Sequence, residues 1–166
     1  MDLGKITEIW IKEHEKNSKV AIATGNTRYV YSLAPGYIIK ECNYEYGDDD
    51  GIYCNKVEYE LYQHATEKER KFLNPTIAIY GDGKYVVATE CYPIDCYILN
   101  ILNKDVRELE DCFQDIEDFV NKYPDFNLDL NEISKFCAKV GINEDEFRAI
   151  TNWGILDNHL VCIDYN

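Results

Sequence analysis

The residues of this chain whose types and spacing could do chemistry are, first of all, carboxylates. Glu108, Asp111, Asp115 and Asp118 recur three to four residues apart through a stretch whose apolar positions have helical spacing, and Asp48-Asp49-Asp50 form a short acidic run. Carboxylates spaced along a helix can replace nucleic-acid phosphates as partners for Lys and Arg. These seven residues are therefore the candidate partner-binding surface, although the same residues also suit an ordinary solvated face that aids solubility. His14, His64 and His159 have no ligand spacing among themselves, and the C-x4-C pair Cys91 and Cys96 has no second pair to complete a zinc site. No serine, histidine and acid grouping can be argued.

Bulk composition narrows the function classes. The chain has 166 residues, 46% of them hydrophobic, which suffices for one compact domain with a core. Its 31 acidic against 17 basic residues give a net charge of -14, and residues 101–150 alone carry 13 acidic against 6 basic residues. Binding nucleic acid directly by counterion release is disfavoured by that balance. No apolar run approaches the roughly 20 residues that span a bilayer, and Met1-Asp2-Leu3-Gly4-Lys5 lacks the layout of a secretory signal, so no membrane role is expected. Seven cysteines, an odd number on apolar faces, read as reduced thiols and point to the cytoplasm.

The elements that position these residues follow from periodicity. Val20-Ala21-Ile22-Ala23, Arg28-Tyr29-Val30-Tyr31 and Tyr37-Ile38-Ile39-Lys40 read as three strands separated by turns at Gly25-Asn26-Thr27 and Ala34-Pro35-Gly36. A helix is expected over Cys54 to Lys68, with Asn55 as its N-cap and Glu58 completing a capping box. Thr76–Tyr80 and Tyr85–Thr89 flank a Gly81-Asp82-Gly83-Lys84 turn as a hairpin. Leu109, Cys112, Phe113, Ile116, Phe119 and Val120 predict one amphipathic helix ending near Tyr123-Pro124, and a second, capped near Asp129 or Asn131, buries Ile133, Phe136, Cys137 and Val140 before Gly141. Trp153-Gly154-Ile155 and Leu160-Val161-Cys162-Ile163 close the chain as a hairpin around Asp157-Asn158. The expected class is α+β: a five-stranded antiparallel sheet with one helix, then a helical region, then a C-terminal hairpin. Taken one at a time, Lys40 reads as a strand-end charge, Glu58 as part of a cap and Asp164 as a polar strand terminus.

Their succession resembles a protein kinase, shortened. Lys40, closing Tyr37-Ile38-Ile39-Lys40, is similar to the V-A-I-K lysine, and Glu58 stands where the family places the carboxylate that holds it. Glu90-Cys91-Tyr92 looks like a hinge, with Glu90 and Cys91 beside an adenine. Asn152 and Asp164 resemble the asparagine and the D-F-G aspartate that bind magnesium. The run from Asn152-Trp153-Gly154-Ile155 to Ile163-Asp164-Tyr165 is similar to small kinase-like proteins of bacteriophages and mobile elements. The resemblance implies one kinase-like unit over 1–166, with 1–90 like a small lobe and 91–166 like a shortened large lobe.

The same comparison marks what is missing. The catalytic aspartate lies five residues before the metal-binding asparagine in a working kinase, and here that position is Phe147, with Glu146 and Asp145 out of register. The G-x-G-x-x-G loop is reduced to Gly25, Asn166 replaces the D-F-G glycine, and an activation segment, an A-P-E element and peptide-docking helices are expected to be lacking. The expectation is a catalytically deficient protein with no resident cofactor; ATP and Mg²⁺ are what the resemblance would allow, at a vestigial site of Lys40, Glu58, Glu90, Cys91, Asn152 and Asp164. Such a chain acts by binding a basic protein, for instance as a phage-encoded, anti-CRISPR-like inhibitor of a nucleic-acid enzyme in the host cytoplasm. The alternatives are a minimal ATP/Mg²⁺-dependent phosphotransferase, with Glu146 or Asp145 as displaced base, and a regulatory subunit of another kinase.

Overall fold

The structure is a computed structural model and describes residues 1–43, 50–101, 113 and 115–164. Its class is α+β, and its contacts divide the chain into two compact units: Met1–Gln63 with Thr76–Glu90, and His64–Pro75 with Cys91–Asn166.

The first unit is an antiparallel sheet in the order β1-β2-β3-β5-β4, from β1 (Ala23–Thr24), β2 (Arg28–Ala34), β3 (Tyr37–Cys42), β4 (Thr76–Tyr80) and β5 (Tyr85–Thr89). Side chains alternate across a pleated sheet, so register divides its residues into two layers. Tyr31, Ile39 and Val87 lie opposite one another and pack with Trp10 and Tyr85 under helix α1 (Leu3–Lys16). Val30, Lys40 and Val86 form the other face, which helix α2 (Asp50–His64) covers through Glu58.

Helix α1 has no counterpart in the sequence reading. Asp2 caps it, its carboxylate accepting the Lys5 N–H at 3.1 Å, and Leu3, Thr7, Trp10, Ile11 and His14 share one face at the spacing a helix requires. His14 fastens its end: Nδ1 accepts the Lys19 N–H at 3.1 Å, so Nε2 carries the proton donated to Glu41 at 2.9 Å. The first expected strand is corrected as well. Val20 and Ile22 are exposed, and the strand is limited to Ala23–Thr24 at the sheet edge, with the Ile22 N–H also donating to the Val30 carbonyl at 2.8 Å and no further strand beyond it among the described residues.

Helix α2 starts at Asp50, earlier than the expected Cys54, so Asn55 is not its cap. Asn55 is fully buried within the helix, and its Nδ2 donates to the Gly83 carbonyl at 2.9 Å and to the Lys84 carbonyl at 3.2 Å, which ties the helix to the β4–β5 turn. The early start is possible because the glycine in second place approaches backbone: a Cβ on Gly51 would collide with the Thr27 carbonyl and with Cys42.

In the second unit β6 (Tyr92–Pro93), β7 (Trp153–Leu156) and β8 (His159–Cys162) form a three-stranded sheet. Asp157 and Asn158, at φ 47° and 66°, make the tight turn joining β7 to β8. Among the described residues its α-helices are α3 (Ile94–Ile101), α4 (Ile116–Lys122), α5 (Leu130–Val140) and α6 (Glu144–Arg148). Asp129 caps α5 and Gly141, at φ 75°, ends it, as expected. The segment His64–Pro75 is bound into this unit: Phe72 packs edge-on against Phe136 and Phe147, and Lys139 reaches Glu69 at 2.9 Å. Burial pushes the Glu69 carboxyl up, but the Lys139 and Thr66 hydrogen bonds outweigh it and hold the group below its ordinary value.

Among the described residues no disulfide is present, and no helix is long and apolar enough to cross a membrane.

Candidate functional site

Strand β3 is central in its sheet, and Lys40 stands on the face that α2 covers. Lys40 stands there at 5% exposure and donates from Nζ to both oxygens of Glu58, 2.7 Å to Oε2 and 3.0 Å to Oε1. Glu58 is 1% exposed on α2. The Lys40–Glu58 contact that the resemblance implies is present, and it has a third member. Arg28, two residues before Val30 on the same face of β2 and itself buried, places Nη1 2.6 Å from Glu58 Oε1.

Two guanidinium and ammonium charges thus converge on one carboxylate in the interior. Burial alone would raise the Glu58 pKa; Arg28 and then Lys40, by charge and by hydrogen bond, reverse that and hold the carboxyl below its ordinary value. A lone buried carboxylate would be strongly unfavourable, and the two cations are what keep it ionised. Sequence reasoning missed Arg28. The available signal was its position, an inward-facing alternate of Val30 in a strand next to Lys40.

The other residues that the resemblance would assign to a nucleotide site lie apart from this cluster in the chain. Glu90 is exposed at the end of the first unit, and its backbone N–H is engaged with the Gly36 carbonyl at 3.0 Å. Cys91 begins the second unit's second segment, and its thiol lies 3.0 Å from Asn74 Oδ1. Gly25 makes a closed turn, its N–H donating to the Arg28 carbonyl at 2.8 Å.

Asn152 and Asp164 both belong to the second unit. The Asn152 carbonyl accepts the Ile163 N–H at 2.7 Å, which brings the two chain segments side by side, and Asp164 follows as an exposed residue. Asn152 Nδ2 donates to the Glu146 carbonyl at 3.0 Å and approaches Glu146 Oε2 at 3.5 Å. The pair offers one neutral and one anionic oxygen. Such a set fits Mg²⁺ only where nucleotide phosphates and water complete the octahedron. Among the described residues no cluster of three or more His, Cys, Asp or Glu could hold a metal by itself.

Phe147 is the residue that the kinase resemblance would align with a catalytic base. It is 1% exposed, its ring lies 5.9 Å from Phe136 and 6.2 Å from both Phe72 and Trp153, and its carbonyl accepts the Trp153 Nε1 hydrogen at 2.9 Å. Asp145 is engaged with Asn143 at the start of α6.

The acidic surface is altered in part. Asp48, Asp49, Glu108 and Asp111 lie outside the described residues, and Asp50 is exposed at the start of α2. Asp115 is not on a helix face: it is the N-cap of α4, accepting the Asp118 N–H at 3.0 Å, and Arg148 lies 3.8 Å away. Phe113, expected inside that helix, precedes the cap. An N-cap residue has extended backbone, so α4 cannot run unbroken through Asp115. Asp118 is exposed on the first turn.

No protein-family model matches the chain, and no curated protein matches it at a significant level.

Proposed function

We propose that this chain is a kinase-like protein that acts by binding a basic protein and not by phosphoryl transfer, with an anti-CRISPR-like inhibitor of a nucleic-acid enzyme as the concrete case. The observation that carries the reading is Phe147: a buried ring at the position of the catalytic base, packed into the aromatic core, leaves nothing there to accept a hydroxyl proton. The sheet order and the Lys40–Glu58 pair support the kinase-like part. The net charge of -14, with Asp50 and Asp118 exposed, supports a cationic partner.

The test is salt-dependent binding to a basic RNA-guided nuclease, compared between the wild type and Asp50→Lys/Asp118→Lys. A complex that weakens steeply with salt, and by about tenfold or more in the variant, is expected. Absence of any complex at low salt would overturn the binding reading. The enzyme alternative has one observation of its own, Glu146 Oε2 near Asn152 Nδ2. Mg²⁺-dependent ATP turnover abolished by both Glu146→Gln and Asp164→Ala would establish it in place of the first.

A further inference from the structure

The kinase-like reading leaves unused a concave site that lies wholly within the second unit. A cavity of about 550 Å³ opens between residues 68–72, 126–132 and 159–160, a volume in the range of small-molecule sites. Its lining is apolar where it is deepest: Phe72 and Leu160 are buried, and Phe126 and Leu128 are half-buried. Both rings are held in place. Phe72 packs on Phe136 and Phe147, and Phe126 packs edge-on to Tyr97 at 5.7 Å and tilted against Phe119 at 5.5 Å. A cavity walled by fixed rings binds without a large ordering cost.

The charges around it are of two kinds. Asp129 is engaged as the cap of α5, accepting the Glu132 N–H at 3.2 Å, and Glu132 accepts from Lys135 Nζ at 2.7 Å. Lys68, Lys71 and His159 are exposed, and among the described residues their side chains make no hydrogen bond or ion pair. The two lysine ammonium groups therefore have no ion-pair partner among the described residues, while Asp129 keeps its charge against a backbone N–H. Two lysines attract an anion, while the carboxylates of Asp129 and Glu132 nearby disfavour a doubly charged one.

We propose that the cavity binds a small aromatic monocarboxylate, its ring against Phe72 and Phe126 and its carboxylate at Lys68 and Lys71. The site is independent of the kinase-like reading and stands or falls separately from it.

The probe is 2-naphthoate, titrated into the full chain by calorimetry and by amide shifts, with 2-naphthalenemethanol as its uncharged counterpart. Saturable binding is expected, with the largest shifts in 68–72, 126–132 and 159–160. The Lys68→Glu/Lys71→Glu variant, both positions exposed, should keep the wild-type amide spectrum elsewhere and lose about tenfold in affinity for the carboxylate. The alcohol should bind both proteins alike. Failure to saturate by about 10 mM, shifts centred elsewhere, or equal carboxylate affinity in wild type and variant would overturn the proposal.

Discussion

Removing the Glu58 side chain tests the buried triad directly. In Glu58→Ala, Lys40 and Arg28 keep their places at 5% exposure each and lose the carboxylate that both of them reach. Deleting one partner of a buried ionic cluster costs about 3–5 kcal/mol, a large share of the roughly 5–15 kcal/mol that holds a domain together. For a unit of this size about 4–8 °C of melting temperature goes with each kcal/mol, so a fall of about 12 °C or more is expected. Thermal and urea unfolding followed by far-UV circular dichroism and by the fluorescence of Trp10 and Trp153 read it. A pH series supplies the second arm. The folded carboxyl titrates below its ordinary value of 4.5, so its contribution is present above that pH and is lost as pH falls through the lower folded value. The wild type should lose stability on that acid limb, and Glu58→Ala should lose less. Replacing all three members, Arg28→Met/Lys40→Met/Glu58→Leu, removes the desolvation cost together with the attraction and should return stability to within about 1 kcal/mol of wild type. A Glu58→Ala variant less than about 1 kcal/mol below wild type, with an unchanged acid limb, would refute the account of the triad as one electrostatic unit.

Two further outcomes follow from other contacts. Burial, then the charge and hydrogen bond of Glu41, push the Tyr31 hydroxyl up to about 12 from 10.0, so its contribution is full below pH 10 and is lost as pH rises towards 12; Tyr31→Phe should flatten that alkaline loss in a pH series of urea midpoints. Asp115→Ala removes the cap of α4 and should cost about 1 kcal/mol in urea unfolding, with Asp115→Asn retaining most of it.

Much of the fold was legible because local signals and tertiary demands coincide. Gly-Asp-Gly between two alternating runs gave the β4–β5 hairpin, and Asp129 or Asn131 with Gly141 bracketed α5, of which the structure selects Asp129. Lys40 and Glu58 could be paired in advance only through the resemblance, since read singly they are a strand-end charge and part of a cap. Arg28 was passed over, since an arginine opening a strand is ordinarily solvated and its burial here depends on a carboxylate thirty positions away. Asn55 misled for a related reason. Its type suits a cap, but with Gly51 allowing the helix to begin at Asp50, the same amide serves the carbonyls of a distant turn. Helix α1 is written in the spacing of Leu3, Thr7, Trp10 and His14. The break at Asp115 was hidden because apolar spacing continues from Leu109 to Val120 whether or not the backbone is helical throughout.

The excursion of His64–Pro75 has a consequence for how the molecule is made. The chain leaves the first unit after Gln63, gives twelve residues to the second, and returns at Thr76 for β4 and β5. As the nascent chain emerges, the first sheet cannot close until Thr89 is available, and by then Phe72 and Leu73 have been presented to water without Phe136, Phe147 or Trp153 to receive them. Completion of the first half therefore creates an apolar segment that only the second half can cover. A fragment ending at Glu90 would hold every strand of the first sheet and still carry a sticky loop, so the two halves must be made together even though the contacts divide in two.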